Sequence, residues 1–347
     1  MRVRTLIVDD SPSIRAQLAR ILSADPEIEV VGQAPEPNVA RQMIKDLEPD
    51  VITLDVEMPG MDGLSFLERI MRLRPMPVVM CSTLTARGAA VTIEALRLGA
   101  VDYIAKPSGN AEDLMRDAAL LRQKVKAAAR SSVRATSAAP TSVAMTGTAR
   151  DGMLIAVGAS TGGVEALFSL LGALPADCPP VLVVQHMPGA FTGSFAERLD
   201  RTCKIAVKEA VDGEPIRSGT VYIAPGGDRH MELAGGTSSN GSIRLRADEL
   251  HSGHRPSVDI LFRSVARRGA SAVGVILTGM GSDGAQGLLE MRRAGARTFG
   301  QSKESCVIYG MPRAAFELGA VEREKGLGAL PEAILAACGM EAKSRAA

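Results

Sequence analysis

Short β-rich runs alternate with helix-period segments along nearly the whole chain, and the alternation breaks once, over residues 130–150. Repeated strand–helix units of this size call for parallel strands, because each helix carries the chain back to the same edge of a sheet. Such sheets are covered on both faces, which confines the chain to α/β architectures. The break contains Ser-Ser-Val-Arg-Ala-Thr-Ser-Ala-Ala-Pro-Thr-Ser, which is small, polar and aperiodic. That is linker composition, and structureless loops beyond ~12–15 residues are uncommon inside one compact domain. With 347 residues there is room for two domains. The expected layout is an α/β domain over 1–128, a flexible linker over 129–151 and a second α/β domain over 152–342.

In the first half the strand-like runs are 3–8, 29–32, 51–54, 78–81 and 101–105. Ile14, Leu18, Ile21 and Leu22 share one helical face, and Ser11 before Pro12 reads as an N-cap followed by proline at the first helical position. A last helix over 112–128 completes a (βα)5 domain. In the second half the runs are 153–157, 181–185, 220–224, 242–246, 272–278 and 297–300, with helices over 164–171, 257–267 and 285–293. Gly295 stands where a C-terminal cap belongs. This half is expected to be a doubly wound, mainly parallel sheet, with a strand order that the pattern leaves open.

Formal net charge is +1, which gives no reason for broad attraction to nucleic acid or an anionic membrane. No apolar run approaches the ~20 residues of a membrane span, and acid appears at Asp9, too early for a signal peptide. The five cysteines are scattered, odd in number and without CxxC pairing, as reduced thiols are, and no histidine–cysteine spacing suggests zinc. The expectation is a cytoplasmic protein with no nucleic-acid partner and no membrane insertion.

Asp9 and Asp10 end the first strand and Asp55 the third. Carboxyl ends of parallel strands face a common crevice, so these three carboxylates should converge. Their repulsion calls for a cation, and oxygen-only ligands with room for water suit Mg2+. Lys106 ends the fifth strand and Ser82 the fourth, bringing an ammonium and a hydroxyl to the same rim. An aspartate so placed can attack a phosphoryl group, because the developing oxygens are already provided for. Any one of these acids could simply cap a βα turn; the whole arrangement at four strand ends favours chemistry.

The segments Leu6-Ile7-Val8-Asp9-Asp10-Ser11, Thr53-Leu54-Asp55-Val56-Glu57-Met58-Pro59-Gly60-Met61-Asp62-Gly63 and Lys106-Pro107 resemble response-regulator receiver domains. The resemblance implies that Asp55 accepts phosphate, and that Asp10, Asp55 and the Glu57 carbonyl hold Mg2+ with Asp9 nearby. Ser82 and Tyr103 then match the hydroxyl and aromatic switch positions beside Lys106, and Lys106-Pro107 is an X-Pro bond that can be cis.

In the second half Gly158-Ala159-Ser160-Thr161-Gly162 satisfies G-x-S-x-G, whose glycines permit the tight strand-to-helix turn that exposes a serine hydroxyl. A variant dinucleotide loop would also use glycines here, but Ser160 replaces its middle glycine and no acid ends the next strand. His186 ends it instead, on the same rim. Asp283 follows the apolar run 272–278 in a glycine-rich loop. In these positions Ser160 can attack, His186 can take its proton, and Asp283 can hold the tautomer. The backbone N–H groups of Thr161 and Met280 are the candidate oxyanion donors. The order Ser, His, Asp differs from the Ser, Asp, His of ordinary α/β-hydrolases, which argues for another sheet topology. His230 reads as a pocket wall or a turn cap. His251 and His254 read as a loop entering a helix, Asp259 as serving that helix's dipole, and Met187, Met280 and Met311 as packing.

Gly-Ala-Ser-Thr-Gly-Gly, Gln-His-Met-Pro, Tyr-Ile-Ala-Pro-Gly, His-Arg-Pro-Ser-Val-Asp, Leu-Thr-Gly-Met-Gly-Ser-Asp-Gly-Ala and Tyr-Gly-Met-Pro-Arg look like the chemotaxis protein-glutamate methylesterases. Departures are a second glycine at Gly226-Gly227 and Ser282 where asparagine is expected. The resemblance implies a phosphorylation-activated hydrolase of γ-glutamyl methyl esters on methyl-accepting chemotaxis receptors, releasing methanol, with deamidation of particular receptor glutamines. It further implies a chemotaxis histidine kinase as phosphodonor, Mg2+ at the receiver and no cofactor for the ester chemistry. Two other classes compete. A binding module that only sequesters a partner would not need the Ser160, His186, Asp283 set, and a DNA-binding regulator usually carries a small basic output domain.

Overall fold

A computed structural model describes residues 2–58, 62–82, 85–106, 111–131, 145–146, 148–235 and 241–342, without side chains at 86–87, 111–117, 145–146 and 341–342. Residues 59–61, the Lys106-Pro107 bond and most of the expected linker lie outside the described residues. The chain divides into two compact units, Met1–Ser137 and Ala138–Ala347.

The first unit alternates β1 (Val3–Val8), α1 (Pro12–Ser23), β2 (Ile28–Ala34), α2 (Pro37–Leu47), β3 (Val51–Asp55), α3 (Gly63–Leu73), β4 (Val78–Ser82), α4 (Ala86–Arg97), β5 (Asp102–Ala105) and α5 (Ala111–Ala129). The strands form one sheet in the order β2-β1-β3-β4-β5, every neighbouring pair parallel. β3 and β4 are buried at every position, as strands covered on both faces must be. The start of α1 follows its sequence signal: the Ser11 hydroxyl accepts the Ile14 N–H, Pro12 sits in the first turn, and Leu18, Ile21 and Leu22 are buried. From β1 the sheet grows one way to β2 and the other way to β3, so the carboxyl ends of β1 and β3 meet at the point where ligand crevices form.

The second unit contains β6 (Met145–Thr146), β7 (Leu154–Ala159), α6 (Gly163–Gly172), β8 (Val181–Gln185), α7 (Gly189–Thr202), β9 (Ala206–Glu209), β10 (Thr220–Ile223), β11 (Arg229–Ala234), β12 (Ser242–Ala247) and α8 (Val258–Ala266). It continues through β13 (Ala272–Ile276), α9 (Ala285–Arg293), β14 (Arg297–Gln301), α10 (Met311–Glu317), β15 (Arg323–Lys325), α11 (Leu330–Ala337) and β16 (Glu341–Ala342). Seven strands form a wholly parallel sheet in the order β15-β14-β13-β7-β8-β10-β9. β7, β8 and β13 are buried throughout. Gly295 takes the left-handed conformation (φ 98°) just past α9, where the pattern places a C-terminal cap. The short strand 145–146, inside the expected linker, pairs with β16 in this unit.

One strand departs from expectation. Residues 242–246 do form a strand, but outside the main sheet, as half of an antiparallel hairpin of β11 and β12. The physical reason lies in the side chains: only Ile243 of β12 is buried, whereas a central parallel strand must be apolar on both faces. The edge strands β9 and β15 carry exposed charges and little apolar signal, which keeps a sheet edge from pairing further. Among the described residues no helix is long and apolar enough to cross a membrane.

Candidate active site

β7, β8 and β13 are neighbours in the order β13-β7-β8, and each releases one of the three residues singled out in the sequence. Ser160 follows β7, His186 follows β8, and Asp283 lies in the loop after β13. The chain leaves β7 toward β8 and later returns on its other side as β13, which makes this edge a topological switch point. The Ser160 turn is sharp: Gly162 caps α6 in the left-handed conformation (φ 76°), and a Cβ there would lie 2.5 Å from Val307. The Ser160 N–H donates to the Thr278 carbonyl at 3.1 Å, which ties the turn to the β13 side.

His186 and Asp283 are joined directly, Nε2 to Oδ2 at 2.8 Å. A carboxylate only accepts, so Nε2 carries the proton. Nδ1 is buried and has no partner among the described residues. The imidazole thus presents Nδ1 as the free base nitrogen, the reverse of the assignment in the familiar serine-protease triad. The hydroxyl of Ser160 is not bonded to Nδ1 here, and such bonds are often completed only when substrate binds.

Asp283 is 2% exposed and is gripped by the N-terminus of α8. Ser257 donates its hydroxyl to Oδ1 at 2.8 Å, and the N–H groups of Val258 and Asp259 donate at 2.8 and 3.1 Å. Burial alone pushes this carboxyl up, but His186, the Val258 N–H and the Ser257 hydroxyl outweigh it and hold the pKa down at about 2. A helix N-terminus is a natural seat for an anion.

His-Arg-Pro-Ser-Val-Asp is therefore part of the site, which the loop-into-helix reading understated. His254 stacks on His186, with ring centroids 3.8 Å apart and planes 9° from parallel. His230 is not a pocket wall but caps the turn into α8. It is fully buried, with Nδ1 accepting the Ser257 N–H at 3.1 Å and Nε2 2.8 Å from the Glu249 carbonyl, so it braces the end of α8. Asp259 faces α9, accepting the Gly287 N–H at 2.7 Å, and burial pushes its pKa up. His251, Asp259 and Asp283 have ligating atoms within 4.8 Å of one another, but both Asp283 oxygens already accept hydrogen bonds.

Thr161 is buried at the start of α6 and Met280 is half-buried in the Asp283 loop. That loop is tied down: the Gly279 N–H donates to the Ile308 carbonyl, and the Gly279 carbonyl accepts from Gly310 and Met311. Met187 and Met311 are buried packing. Gly226 sits against the Met187 carbonyl, where a Cβ would come within 2.1 Å, and Ser282 is exposed.

In the first unit Asp9 is fully buried, Asp55 is 1% exposed and Asp10 faces solvent. The Lys106 ammonium lies 3.0 Å from Asp9 Oδ2 and 2.8 Å from Asp55 Oδ2. Carboxylate oxygens of Asp9, Asp10 and Asp55 lie within 4.8 Å of one another. Burial, then the charge of Asp9, pushes the Asp55 carboxyl up to about 6 against the pull of Lys106 and the Glu57 N–H. One ammonium against three carboxylates leaves net negative charge, and the donor set is all oxygen, which fits a hard divalent cation. Glu57 is exposed, and its N–H donates to Asp55 Oδ1 at 3.2 Å. Ser82 is buried at the end of β4. Tyr103 is buried within β5, with Lys124 4.7 Å over its ring and 2.8 Å from its carbonyl.

Comparison with known proteins converges on one family. The family pattern for CheB methylesterase matches residues 155–334, and that for a response regulator receiver domain matches 5–119. A protein-glutamate methylesterase/protein-glutamine glutaminase of Caulobacter vibrioides is 55% identical over 341 residues, 96% of this chain and 97% of that one. Its counterpart in Agrobacterium fabrum is 54% identical over 96% of this chain and 95% of its own. The crystal structure of the Thermotoga maritima CheB methylesterase catalytic domain matches with a TM-score of 0.52 at 36% identity, covering 54% of this chain and 99% of that one. This chain belongs to the CheB methylesterase family and carries a response-regulator receiver domain ahead of its esterase half.

Proposed function

We propose that the chain removes methyl esters from glutamate residues of methyl-accepting chemotaxis receptors, and deamidates particular receptor glutamines, under control of phosphorylation at Asp55. The observation that carries the chemistry is the His186–Asp283 pair, which leaves Nδ1 unpartnered. Ser160 Oγ attacks the ester carbonyl carbon as its proton passes to His186 Nδ1. The resulting imidazolium keeps its Nε2–H on Asp283, and the Thr161 and Met280 N–H groups receive the developing oxyanion. Collapse expels methanol, protonated from Nδ1. Water, activated by the same nitrogen, then releases Ser160 and the glutamate carboxylate. A glutamine side chain follows the same course with ammonia as leaving group. No cofactor is needed for these steps.

In the receiver, Asp55 is the phosphoacceptor and a histidine kinase of the chemotaxis array is the donor. Asp10, Asp55 and the Glu57 carbonyl, with Asp9 nearby, would hold a magnesium ion, which when bound would supply positive charge for the phosphoryl oxygens. Lys106 supplies further positive charge, while Ser82 and Tyr103 relay the change. The domains span 1–128 and 152–342, joined by 129–151, of which 145–146 pair with β16, and the setting is the cytoplasm. The unphosphorylated receiver restrains the esterase, and phosphorylation shifts the equilibrium toward the active state.

Mass spectrometry of receptor peptides, scoring loss of methyl and conversion of Gln to Glu, tests the substrate assignment. A small phosphodonor with magnesium should raise the demethylation rate, and Asp55→Asn should remove that response without removing basal hydrolysis. A fragment starting at Arg150 should exceed the full chain in basal rate. An unchanged rate with phosphodonor would rule out the coupling. EDTA should block phosphorylation and leave the fragment's ester hydrolysis intact.

A further inference from the structure

We infer that Gln185 is a positioning residue of the hydrolytic site, its side-chain amide holding the nucleophile turn and the base turn at a fixed separation. The inference rests on the serine mechanism proposed above. Gln185 is the last residue of β8 and is 3% exposed. Its Nε2 donates to the Ser160 carbonyl at 2.9 Å and to the His186 carbonyl at 3.2 Å. Both partners are acceptors, so the orientation of the amide is set by chemistry: only the NH2 end can face them.

Two features mark the contact as more than packing. The Ser160 carbonyl already accepts the Gly163 N–H at 2.7 Å, so the turn does not need Gln185 to satisfy that oxygen. In addition, Gln185 Oε1 is buried without a partner among the described residues. A methionine of similar length would fill the same space without burying an unsatisfied acceptor. Room for Oε1 is kept by Gly163, where a Cβ would lie 2.1 Å from it. The site therefore accommodates a buried polar group whose two donated bonds end on the backbone of Ser160 and His186. Because Ser160 and His186 leave adjacent strands, a bridge across β7 and β8 fixes the distance from Oγ to Nδ1 more tightly than the strand ladder alone. Displacements on the order of 1 Å in such pairs can cost about a hundredfold in rate.

The test uses the full chain and a synthetic peptide carrying a γ-glutamyl methyl ester. In Gln185→Met, kcat should fall about 10- to 100-fold with KM nearly unchanged. Labelling of Ser160 by a fluorophosphonate should slow in parallel, and the melting temperature should stay close to wild type. Gln185→Glu places an anion against two carbonyls at neutral pH, but its protonated form regains one donor. Its kcat relative to wild type at the same pH should therefore rise as pH falls, a recovery that a purely structural role would not produce. A Met variant within about threefold of wild-type kcat would overturn the inference, as would a loss explained by a lowered melting temperature with a flat pH ratio for the Glu variant. Ser160→Ala run alongside separates the two failures: if it stays active the serine mechanism falls, whereas if it is inactive while the Met variant is normal, only the role of Gln185 falls.

Discussion

Ser160→Ala is expected to remove ester hydrolysis, lowering kcat by at least about a thousandfold, with the proposed phosphorylation at Asp55 and the melting temperature at wild-type values. The size of the effect follows from what remains. Without Oγ, His186 and the oxyanion donors can still orient a water molecule, but no acyl-enzyme forms and the difficult step is no longer divided. Folding is spared because Ser160 contributes to the turn through its backbone, with its N–H on Thr278 and its carbonyl on Gly163 and Gln185. Steady-state hydrolysis, fluorophosphonate labelling and phosphoryl transfer, measured on one preparation, check all three parts. Activity within about tenfold of wild type would move the nucleophile elsewhere.

Asp283→Asn should cost about a thousand- to ten-thousandfold in kcat and, unlike Ser160→Ala, should also destabilise the esterase unit. Four donors converge on the Asp283 carboxylate: His186 Nε2–H, the Ser257 hydroxyl and the N–H groups of Val258 and Asp259. An asparagine replaces one acceptor oxygen with an NH2 group, which confronts some of these donors. If the NH2 faces His186, the ring must present Nε2 as an acceptor and move its proton to Nδ1, where it blocks the base. In either orientation the start of α8 loses its anion, and the NH2 meets the N–H of Val258 or of Asp259. The wild-type carboxyl has its pKa held at about 2 against an ordinary 3.8. Its ionised form therefore stabilises the fold fully above pH 4, by on the order of 2 kcal/mol, and that contribution disappears as pH falls from about 4 toward 2. Thermal melts across this range should show an acid loss in the wild type that is smaller in Asp283→Asn. Equal acid sensitivity in the two proteins would show that Asp283 is not the group responsible.

The features most legible in the sequence were those carried by local backbone state. β3, β4, β7, β8 and β13 read as apolar runs because they are covered on both faces, and Asp55, Ser82, Ser160, His186 and Asp283 stand at the ends of such runs or in the loops beyond them. Hairpin β11–β12 was harder to see. A one-sided strand such as 242–246 carries the same short β signal as a sheet strand, and only its exposed Arg244 and Arg246 hinted at another place. The roles of His254, His230 and Ser257 are illegible for a different reason. These residues lie far from 186 and 283 in the chain, and nothing in their spacing records a ring stack or a helix end aimed at a carboxylate. The local signals were the Pro256–Ser257 pair before an apolar run, which marks a helix start, and the motif His-Arg-Pro-Ser-Val-Asp, neither of which says what that start would bind.

The chain's residue types and periodicity determined by themselves that it folds as two α/β units, with carboxylates ending strands in one and a serine, a histidine and an aspartate following strands in the other. Tertiary structure alone decided that β13, β7 and β8 lie side by side, that Asp283 takes Nε2 and leaves Nδ1 free, and that α8 and Gln185 hold the arrangement. The physical reason is range. Periodicity reports which way successive side chains of one segment point, whereas strand order and the aim of a helix end arise from packing between segments on the order of a hundred residues apart.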